Sequence, residues 1–323
     1  MIDRSEFEQL ERRVRSFEQR LSRRRSKLSR LFRFRGRSDL WNFEQYAPRE
    51  LKTPASYLQD SLNAGANLTV AIVTPSYNHA DFIGEAIKSV LSQDVENLSY
   101  HVQDGASKDR TSDILDSYAG RLTSESHPDR GQTHAINLGF ERVSGDIMAY
   151  LNSDDCLLPG TIGYVQDHFA KNPNVDIVYG HRVFIDRFGL EVGRAVLPPH
   201  DPEALKWADY IPQETMFWRR SVWEAVAPFD ESFNFALDWD FILRAAAKGF
   251  RFARLPRFLG AFRVHDQQKT AALASAGELE MTRLRQEHLG WAPSQTEINA
   301  AISAYLRRQA RYSLLYRLGL VRH

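Results

Sequence analysis

A strand, a loop and a helix follow one another twice between residues 69 and 120, and this repeat constrains the fold more than any other feature of the chain. In the first unit the apolar run from Val70 to Val73 predicts a buried strand, which Pro75 ends. Apolar residues then recur at helical spacing, at Phe82, Ile83, Ala86, Ile87, Val90 and Leu91. Asp81 is the expected N-cap of that helix.

The second unit has the same order of elements. Its strand is predicted from Tyr100 to Gln103 and its helix from Thr111 to Tyr118, with Gly120 at the C-cap position. Asp104 then lies at the tip of the second strand, and the loop from Thr74 to His79 lies at the tip of the first. Open α/β sheets bind ligands at this carboxyl edge, so we predict an α/β protein with its site there.

Two adjacent carboxylates, Asp154 and Asp155, close a further apolar run in the segment that begins at Gly145. Hard cations such as Mg²⁺ and Mn²⁺ prefer oxygen ligands and share them with substrate phosphates. An acidic pair at a strand end therefore indicates a metal–phosphate site. A solvated acidic turn is the alternative, because Asp and Asn side chains also favour turns.

Five segments, in this order, resemble glycosyltransferase family 2. They are VTPSYN at 73–78, QDGASKDRT at 103–111, DRGQTHAINLGF at 129–140, LNSDD at 151–155 and LDWDFILR at 237–244. The resemblance implies a GT-A fold, which is Rossmann-like, with a mostly parallel central sheet and helices on both faces. It also implies inverting transfer of a sugar from a nucleotide-diphospho-sugar to a hydroxyl acceptor, with Mn²⁺ or Mg²⁺ on the diphosphate.

The resemblance also predicts how the chain is divided. A GT-A domain is expected at 69–270, with a nucleotide-sugar-binding half at 69–180 and an acceptor half at 181–270. The flanking parts are a basic amphipathic helical extension at 1–37, a connector at 38–68 and a C-terminal helical region at 271–323. Four prolines between residues 195 and 213 predict a mobile substrate loop rather than a packed element.

Asp238 matches the position of the family's general base. An acceptor hydroxyl has a pKa far above neutrality, so a carboxylate within hydrogen-bond reach must take its proton as the new bond forms. Without the resemblance, the preferred interpretation of Asp238 is an ordinary N-cap or first-turn acid that the helix dipole stabilises.

The same resemblance implies which residues of this chain contact the metal and the sugar donor. Asp155 is the expected metal ligand together with His265, whose alternative is a structural role. The residues expected to bind the nucleotide-sugar are Thr74, Ser76, Tyr77, Asp104, Arg130, Asp154 and Gln213. Trp218 and Trp239 are candidates for stacking on a sugar ring or for ordinary core packing.

Charge is distributed unevenly along the chain. Residues 1–37 hold 13 Lys and Arg against 5 Asp and Glu, and residues 305–323 hold 5 Arg and no acid, whereas the middle is acidic. Apolar residues recur at helical spacing in both ends, which predicts amphipathic helices for an anionic membrane surface. A coiled coil or packing against the protein's own body is the alternative.

The single Cys156 excludes an intramolecular disulfide, and no apolar run approaches the roughly 20 residues that span a bilayer. We therefore expect a cytoplasmic protein, peripheral at the inner face of the membrane. The expected partners are a UDP-sugar donor and a saccharide or lipid-linked saccharide acceptor of surface polysaccharide, lipopolysaccharide or glycolipid synthesis, with no nucleic acid.

Two enzyme classes are disfavoured because the first loop lacks their glycine-rich phosphate sequence. These are the sugar-phosphate nucleotidyltransferases and the dinucleotide dehydrogenases with G-x-G-x-x-G. The remaining alternative is a catalytically inactive GT-A scaffold of a polysaccharide assembly, against which the intact Asp104, Asp155 and Asp238 argue.

Overall fold

The structure is a computed structural model that describes residues 43–58, 68–266 and 274–321. The amphipathic helix predicted at 1–37 lies outside these residues. Within the described ranges, no helix is both long and apolar enough to cross a membrane.

Nine strands and nine α-helices make up the described part of the chain. The strands are β1 (Val70–Ser76), β2 (Leu98–Asp104), β3 (Thr123–Ser126), β4 (Ile147–Tyr150), β5 (Cys156–Leu157), β6 (Ile177–Asp186), β7 (Glu191–Ala195), β8 (Phe217–Arg219) and β9 (Phe252–Val264). The helices are α1 (Ile83–Leu91), α2 (Thr111–Asp116), α3 (Gln132–Arg142), α4 (Thr161–Lys171), α5 (Pro202–Leu205), α6 (Arg220–Val226), α7 (Leu237–Ala247), α8 (Ala274–Leu289) and α9 (Gln295–Arg317). A 3₁₀ turn spans Gln213–Thr215.

All strands join one sheet in the order β3-β2-β1-β4-β8-β6-β9-β5, with β7 paired to β6. The first four strands are parallel throughout. Antiparallel pairing begins where β4 meets β8, and the long β6–β9 pairing is parallel again. The predicted α/β sheet is confirmed, and its first half has the βαβ order that the repeated units predict.

Alternate residues of β1 face opposite sides of the sheet, as the two-residue period of a strand requires. Ala71 and Val73 pack on one face in a cluster with Ile136 of α3. Val70 and Ile72 pack on the other face with the apolar stripe of α1. Both faces are therefore covered by helices, as predicted.

One capping prediction is wrong. Helix α1 begins at Ile83 with Phe82 as its N-cap, and no side chain caps it. Asp81 instead faces Arg187 across 3.8 Å. The helix therefore begins one residue later than an N-cap at Asp81 predicts.

The expectation of an unpacked loop between residues 195 and 213 is also wrong. Leu197, Leu205 and Tyr210 are buried in the main core cluster. Helix α5 lies within the segment, and the side chain of Asp201 caps it by accepting from two backbone N–H groups. The prolines shape a packed segment because the apolar residues between them are buried.

Helix α9 packs on the body along one face and exposes leucines near its end. Ile298, Ile302 and Tyr305 are buried, and the Tyr305 ring lies 4.3 Å from that of Tyr210. Leu314 and Leu318 near its end are exposed. Tyr312 and Tyr316 in the last turns pack against a core cluster that includes Phe258, and Arg194 donates to the Tyr316 hydroxyl at 2.7 Å. The own-body alternative therefore describes one face of α9 along its whole length, and Leu314 and Leu318 lie outside that face.

Candidate active site

The loops that follow β1, β2 and β4 meet at the carboxyl edge of the sheet, where the sequence places the site. Ser76 and Asp104 are partners in the β1–β2 register. The backbone N–H of Asn78 donates to Ser107 Oγ at 2.7 Å, and His79 Nδ1 lies 2.5 Å from Ser153 Oγ. Hydrogen bonds between loops thus fix the three strand ends relative to one another.

Ser76 and Tyr77 offer groups that no described residue uses. The Ser76 hydroxyl is buried and has no hydrogen-bond partner in the described part of the chain. The side chain of Tyr77 is 56% exposed. A Cβ at Gly105 would lie 3.3 Å from the Tyr77 ring and 2.7 Å from an Asp129 carboxylate oxygen, so only glycine fits between them.

Asp104 and Thr74 are engaged within the protein. The Asp104 carboxylate accepts from Ser107 N at 2.9 Å, Ser107 Oγ at 2.5 Å and Ser126 Oγ at 2.6 Å, which closes the loop after β2. The Thr74 side chain is buried, and its hydroxyl lies 2.9 Å from that of Tyr100. Both residues lie where the sequence places them, but their side chains bond inside the fold.

Asp154 pairs with His265 at the end of β9, with 3.0 Å between a carboxylate oxygen and Nε2. Burial by itself raises the pKa of Asp154, but the hydrogen bond from His265 and the charges of His79 and His265 outweigh it. The net shift of this pKa is downward, so Asp154 is ionised at neutral pH.

Asp155 has different partners from Asp154, and it is only 1% exposed. It accepts from the backbone N–H of Arg263 at 2.9 Å and from Asn152 Nδ2 at 3.3 Å. Burial, then the charges of Asp154 and Glu214, raise its pKa well above the usual range. The acid that His265 contacts in this structure is thus Asp154, whereas the hydrogen bonds given for Asp155 come from Arg263 and Asn152.

Asp154 and His265 supply one carboxylate and one imidazole, which are the donors available for a cation at this edge. Among the described residues no group of three or more His, Cys, Asp or Glu side chains is arranged to hold a metal ion. A site with one carboxylate and one imidazole suits Mn²⁺ or Mg²⁺ when phosphate oxygens and water complete the coordination. The ionised carboxylate beside an imidazole supplies that donor set.

A chain of amide side chains lies behind the acidic pair. Gln132 Nε2 donates to Asn152 Oδ1 at 2.6 Å, Asn152 Nδ2 lies 3.2 Å from Gln213 Oε1, and Gln213 Nε2 donates to the backbone carbonyl of Tyr150 at 2.7 Å. Gln213 is therefore placed at the end of β4. Sequence reasoning did not single out Asn152 or Gln132, although both lie inside recognised motifs.

Asp238 is half-buried at the first turn of α7 and accepts from the backbone N–H of Trp239 at 2.9 Å. Burial raises its pKa to about 6, against the opposing effects of that N–H and of Arg182. Above this pH the carboxylate is ionised, and because its pKa lies close to neutrality it is suited to take and release a proton.

A buried ion pair between Arg182 and Glu214 acts electrostatically on both Asp155 and Asp238. Arg182 of β6 holds Glu214 through two hydrogen bonds of 2.7 and 2.5 Å, and their side chains are 8% and 0% exposed. Charges of Arg182 and Glu214 act on Asp155 and on Asp238 alike. We call Tyr150, Arg182, Asp209, Glu214 and Asp238 the inner cluster, and Ser76, Tyr77, Asp104, Asp154 and His265 the edge site.

Arg182 was missed from the sequence, although a cation inside the apolar run of β6 is itself a signal. Charged side chains are almost never fully buried unless they are paired. Its partner Glu214 lies 32 residues away, so the sequence does not identify the pair.

Arg130, the two tryptophans and Cys156 lie in different surroundings. Arg130 lies on the surface and pairs with Glu231 at 2.7 Å. Trp218 and Trp239 are fully buried, so the sugar-stacking alternative is wrong and both are core residues. Burial raises the pKa of the Cys156 thiol to about 12, which disfavours the thiolate form that a nucleophile needs.

The parallel β3-β2-β1-β4 sheet, continued by antiparallel strands, has the predicted GT-A fold, and solved glycosyltransferase structures share this fold. TarS 1–349 of S. aureus in complex with UDP-GlcNAc superposes with a TM-score of 0.55 at 16% identity, covering 74% of this chain and 72% of that one. Mannosyltransferase PcManGT of Pyrobaculum calidifontis, in complex with GDP-Man and Mn²⁺, gives 0.52 at 20% identity, covering 82% and 87%.

Sequence comparison shows which known proteins the chain resembles. Residues 71–226 match the model of glycosyl transferase family 2. Chondroitin synthase of Escherichia coli is 30% identical over 184 residues, which are 56% of this chain but only 27% of that protein. The chain is therefore similar to glycosyl transferase family 2 over residues 71–226, just under half of its length, and it spans about a quarter of the chondroitin synthase relative.

Proposed function

We propose that the protein is a metal-dependent inverting glycosyltransferase that moves a sugar from a nucleotide-diphospho-sugar to a hydroxyl acceptor. The observation that supports this proposal is that the structure contains two carboxyl groups with opposite pKa shifts, one lowered and one raised. Asp154, ionised and beside His265, lies at the sheet edge, and Asp238, with a pKa raised to about 6, lies in the inner cluster. Glu214 acts electrostatically on both Asp155 and Asp238.

The donor lies along the edge site in this proposal. The buried hydroxyl of Ser76 and the exposed ring of Tyr77 face the nucleoside, with Asp104 holding the loop that frames it. UDP-sugars are favoured because TarS, a structural neighbour, is seen with UDP-GlcNAc. GDP-mannose is the second donor to test, because PcManGT is seen with it.

Asp154 and His265 would hold Mn²⁺ or Mg²⁺. When bound, the cation neutralises the charge that develops on the departing diphosphate. This assignment moves the metal from Asp155, the expected ligand, to its neighbour. Asp155 then has a supporting role, because Arg263 N and Asn152 fix its carboxyl inside the fold.

Asp238 performs the proton transfer. It takes the proton of the acceptor hydroxyl while that oxygen bonds to the anomeric carbon, and the bond from this carbon to the diphosphate breaks with its electron pair on the leaving group. Attack from the face opposite the diphosphate inverts the anomeric configuration. Arg182 is held by Glu214 and does not neutralise Asp238 outright.

We propose a saccharide or lipid-linked saccharide as acceptor, at the inner face of the membrane. The name of the chondroitin synthase relative supports a polysaccharide product. The last turns of α9 and the residues that follow support membrane contact, because Leu314, Leu318 and Leu320 are exposed among arginines. A cleft beside them is lined by basic residues, which include Arg49 and Arg317.

The test is turnover of UDP-GlcNAc, UDP-glucose and GDP-mannose with and without Mn²⁺, followed by NMR of the anomeric configuration of the product. Metal-dependent turnover of one donor with inversion supports the proposal. Absence of binding by every donor, with or without metal, favours the alternative of a catalytically inactive GT-A scaffold in a polysaccharide assembly.

A further inference from the structure

Arg263 is a fully buried cation beside the edge site to which the proposed function gives no role. It lies near the end of β9, and its side chain is 0% exposed. Its ionic partner is Glu85 of α1, whose side chain is 57% exposed. An ion pair with one exposed carboxylate contributes little, so the other contacts of Arg263 must account for its burial.

The guanidinium group has an acceptor for each of its N–H groups. Nε donates to the backbone carbonyl of Asp154 at 2.8 Å. Nη1 donates to the carbonyls of Asp186 and Arg187, at 3.2 and 3.4 Å, in the turn between β6 and β7. Nη2 donates to Glu85 at 2.5 Å and lies 3.7 Å from Sγ of Cys156. These five acceptors match the five donors of a rigid fork, which no other side chain reproduces.

The backbone of Arg263 holds the acidic pair as well. Its N–H donates to the Asp155 carboxyl at 2.9 Å. Strand β5 begins at the next residue, Cys156, which pairs with Ala261 of β9. The acidic pair is therefore attached to the end of β9 by the sheet pairing, by a backbone donor and by a side-chain donor.

The same end of β9 fixes the direction of Asp154. His265 comes two residues after Arg263, the spacing at which side chains of a strand face the same side. His265 Nε2 lies 3.0 Å from the Asp154 carboxylate, and Arg263 Nε holds the carbonyl of the same residue. Because that carbonyl is held, the peptide after Asp154 cannot rotate without losing the hydrogen bond, and the carboxylate stays opposite His265.

We propose that Arg263 is a positioning residue for the metal-binding carboxylate: it ties the acidic pair to β9, to α1 and to the β6–β7 turn, and thereby keeps Asp154 opposite His265 for a divalent cation. The inference rests on the proposed function. Arg263 contacts neither the cation nor the donor in this role, and it acts through Asp154. Replacing a side chain that orients a metal ligand typically weakens metal binding by about 10–100-fold.

Charge and position predict opposite results when Arg263 is replaced. On charge alone, removal of a cation beside the site strengthens Mn²⁺ binding, because like charges repel. Loss of position weakens it. Arg263→Met fills much of the same apolar space and leaves no buried charge unpaired, since Glu85 is exposed. Arg263→Lys keeps the charge, but one ammonium group cannot reach the Asp154 carbonyl and the turn carbonyls together.

The experiment measures the Kd of UDP for the full-length protein by calorimetry, with and without Mn²⁺, or of GDP if GDP binds more tightly. The ratio of the two Kd values is the metal effect. We expect Mn²⁺ to strengthen nucleotide binding in the wild type. The metal effect should fall about tenfold or more in Arg263→Met, and it should also fall in Arg263→Lys. The Kd without Mn²⁺ should stay close to that of the wild type in both variants.

Arg257→Met is the matched control. Arg257 is 3% exposed on the same strand, and it donates to the backbone carbonyls of Tyr57 and Pro159. It lies six residues before Arg263, about 20 Å along an extended strand. Urea denaturation of each variant measures the loss of stability separately, and Arg257→Met should keep the wild-type metal effect whatever that loss is.

A folded Arg263→Met variant whose metal effect equals or exceeds that of the wild type overturns the inference, as does an equal fall in Arg257→Met. If Arg263→Met does not fold, an unchanged metal effect in Arg263→Lys overturns it. A wild type that binds neither nucleotide, or binds them without any response to Mn²⁺, contradicts the proposed function instead.

Discussion

The edge site and the inner cluster are built in different ways. Edge-site residues follow the ends of adjacent parallel strands, and loop hydrogen bonds such as Asn78 N to Ser107 Oγ place them. The inner cluster gathers charges from β4, β6, the 3₁₀ turn and α7, and its central contact is the buried pair of Arg182 and Glu214. The edge site is suited to bind an exposed charged donor, and the inner cluster to hold a carboxyl with a raised pKa.

The largest effect is expected on stability, in the inner cluster. Arg182→Met leaves Glu214 buried without its cation, which should lower the free energy of unfolding by about 3–5 kcal/mol. Urea denaturation measures this loss. The double variant Arg182→Met/Glu214→Leu removes both charges and should recover most of it. If the free energy of unfolding of Arg182→Met falls by less than about 1 kcal/mol, the Arg182–Glu214 pair does not hold the inner cluster together.

Substitutions of Asp154 and of Asp155 should affect Mn²⁺-dependent donor binding differently. Asp154→Ala removes the carboxylate that pairs with His265, so we expect Mn²⁺-dependent donor affinity to fall by about 100-fold. Calorimetric titration of the donor with and without Mn²⁺ measures it. Asp155→Asn is the control and should keep most of the metal effect. Equal losses in the two variants would contradict the reassignment of the metal ligand.

The pH dependence of the reaction rate tests the protonation of Asp238 in the inner cluster. Because burial raises the pKa of Asp238 to about 6, the ionised base is present above that pH and is lost as the pH falls through it. The rate should drop about tenfold for each pH unit below 6. Donor binding over the same range should change much less. A rate that stays constant down to pH 4.5 would exclude Asp238 as the titrating base.

The smallest effect is expected at the end of the chain. Leu318 is 62% exposed beyond α9, so Leu318→Ala should weaken binding to anionic vesicles by about 1 kcal/mol, or fivefold. Vesicle sedimentation measures it, with Leu279→Ala on α8 as the control for an exposed leucine elsewhere. Equal binding by both variants and wild type would remove the support for this membrane contact.

The same contrast explains what the sequence could predict. The edge site came from local patterns, because a strand followed by a helix puts its loop at the carboxyl edge whatever the rest of the fold does. Adjacent Asp154 and Asp155 could not be told apart, since their different partners, His265 and Arg263, come from β9, more than 100 residues later.

The inner cluster is less accessible to sequence reasoning. Asp238 was found only through a family motif, and no local pattern links Arg182 to Glu214. The prolines between residues 195 and 213 predict an unpacked loop, whereas the apolar residues of that segment are core residues. Long-range packing decides which carboxyls become buried together, and that information is not contained in the spacing of a single chain.

The central claim is that the edge site binds the donor and the inner cluster performs the chemistry. The most direct test measures donor Kd and kcat for Asp238→Asn beside Asp154→Ala under the same Mn²⁺ concentration. We expect Asp238→Asn to lose about 1,000-fold in kcat with donor Kd unchanged, and Asp154→Ala to lose donor affinity. A Asp238→Asn variant that turns over at the wild-type rate, or that fails to bind donor although folded, would contradict the account.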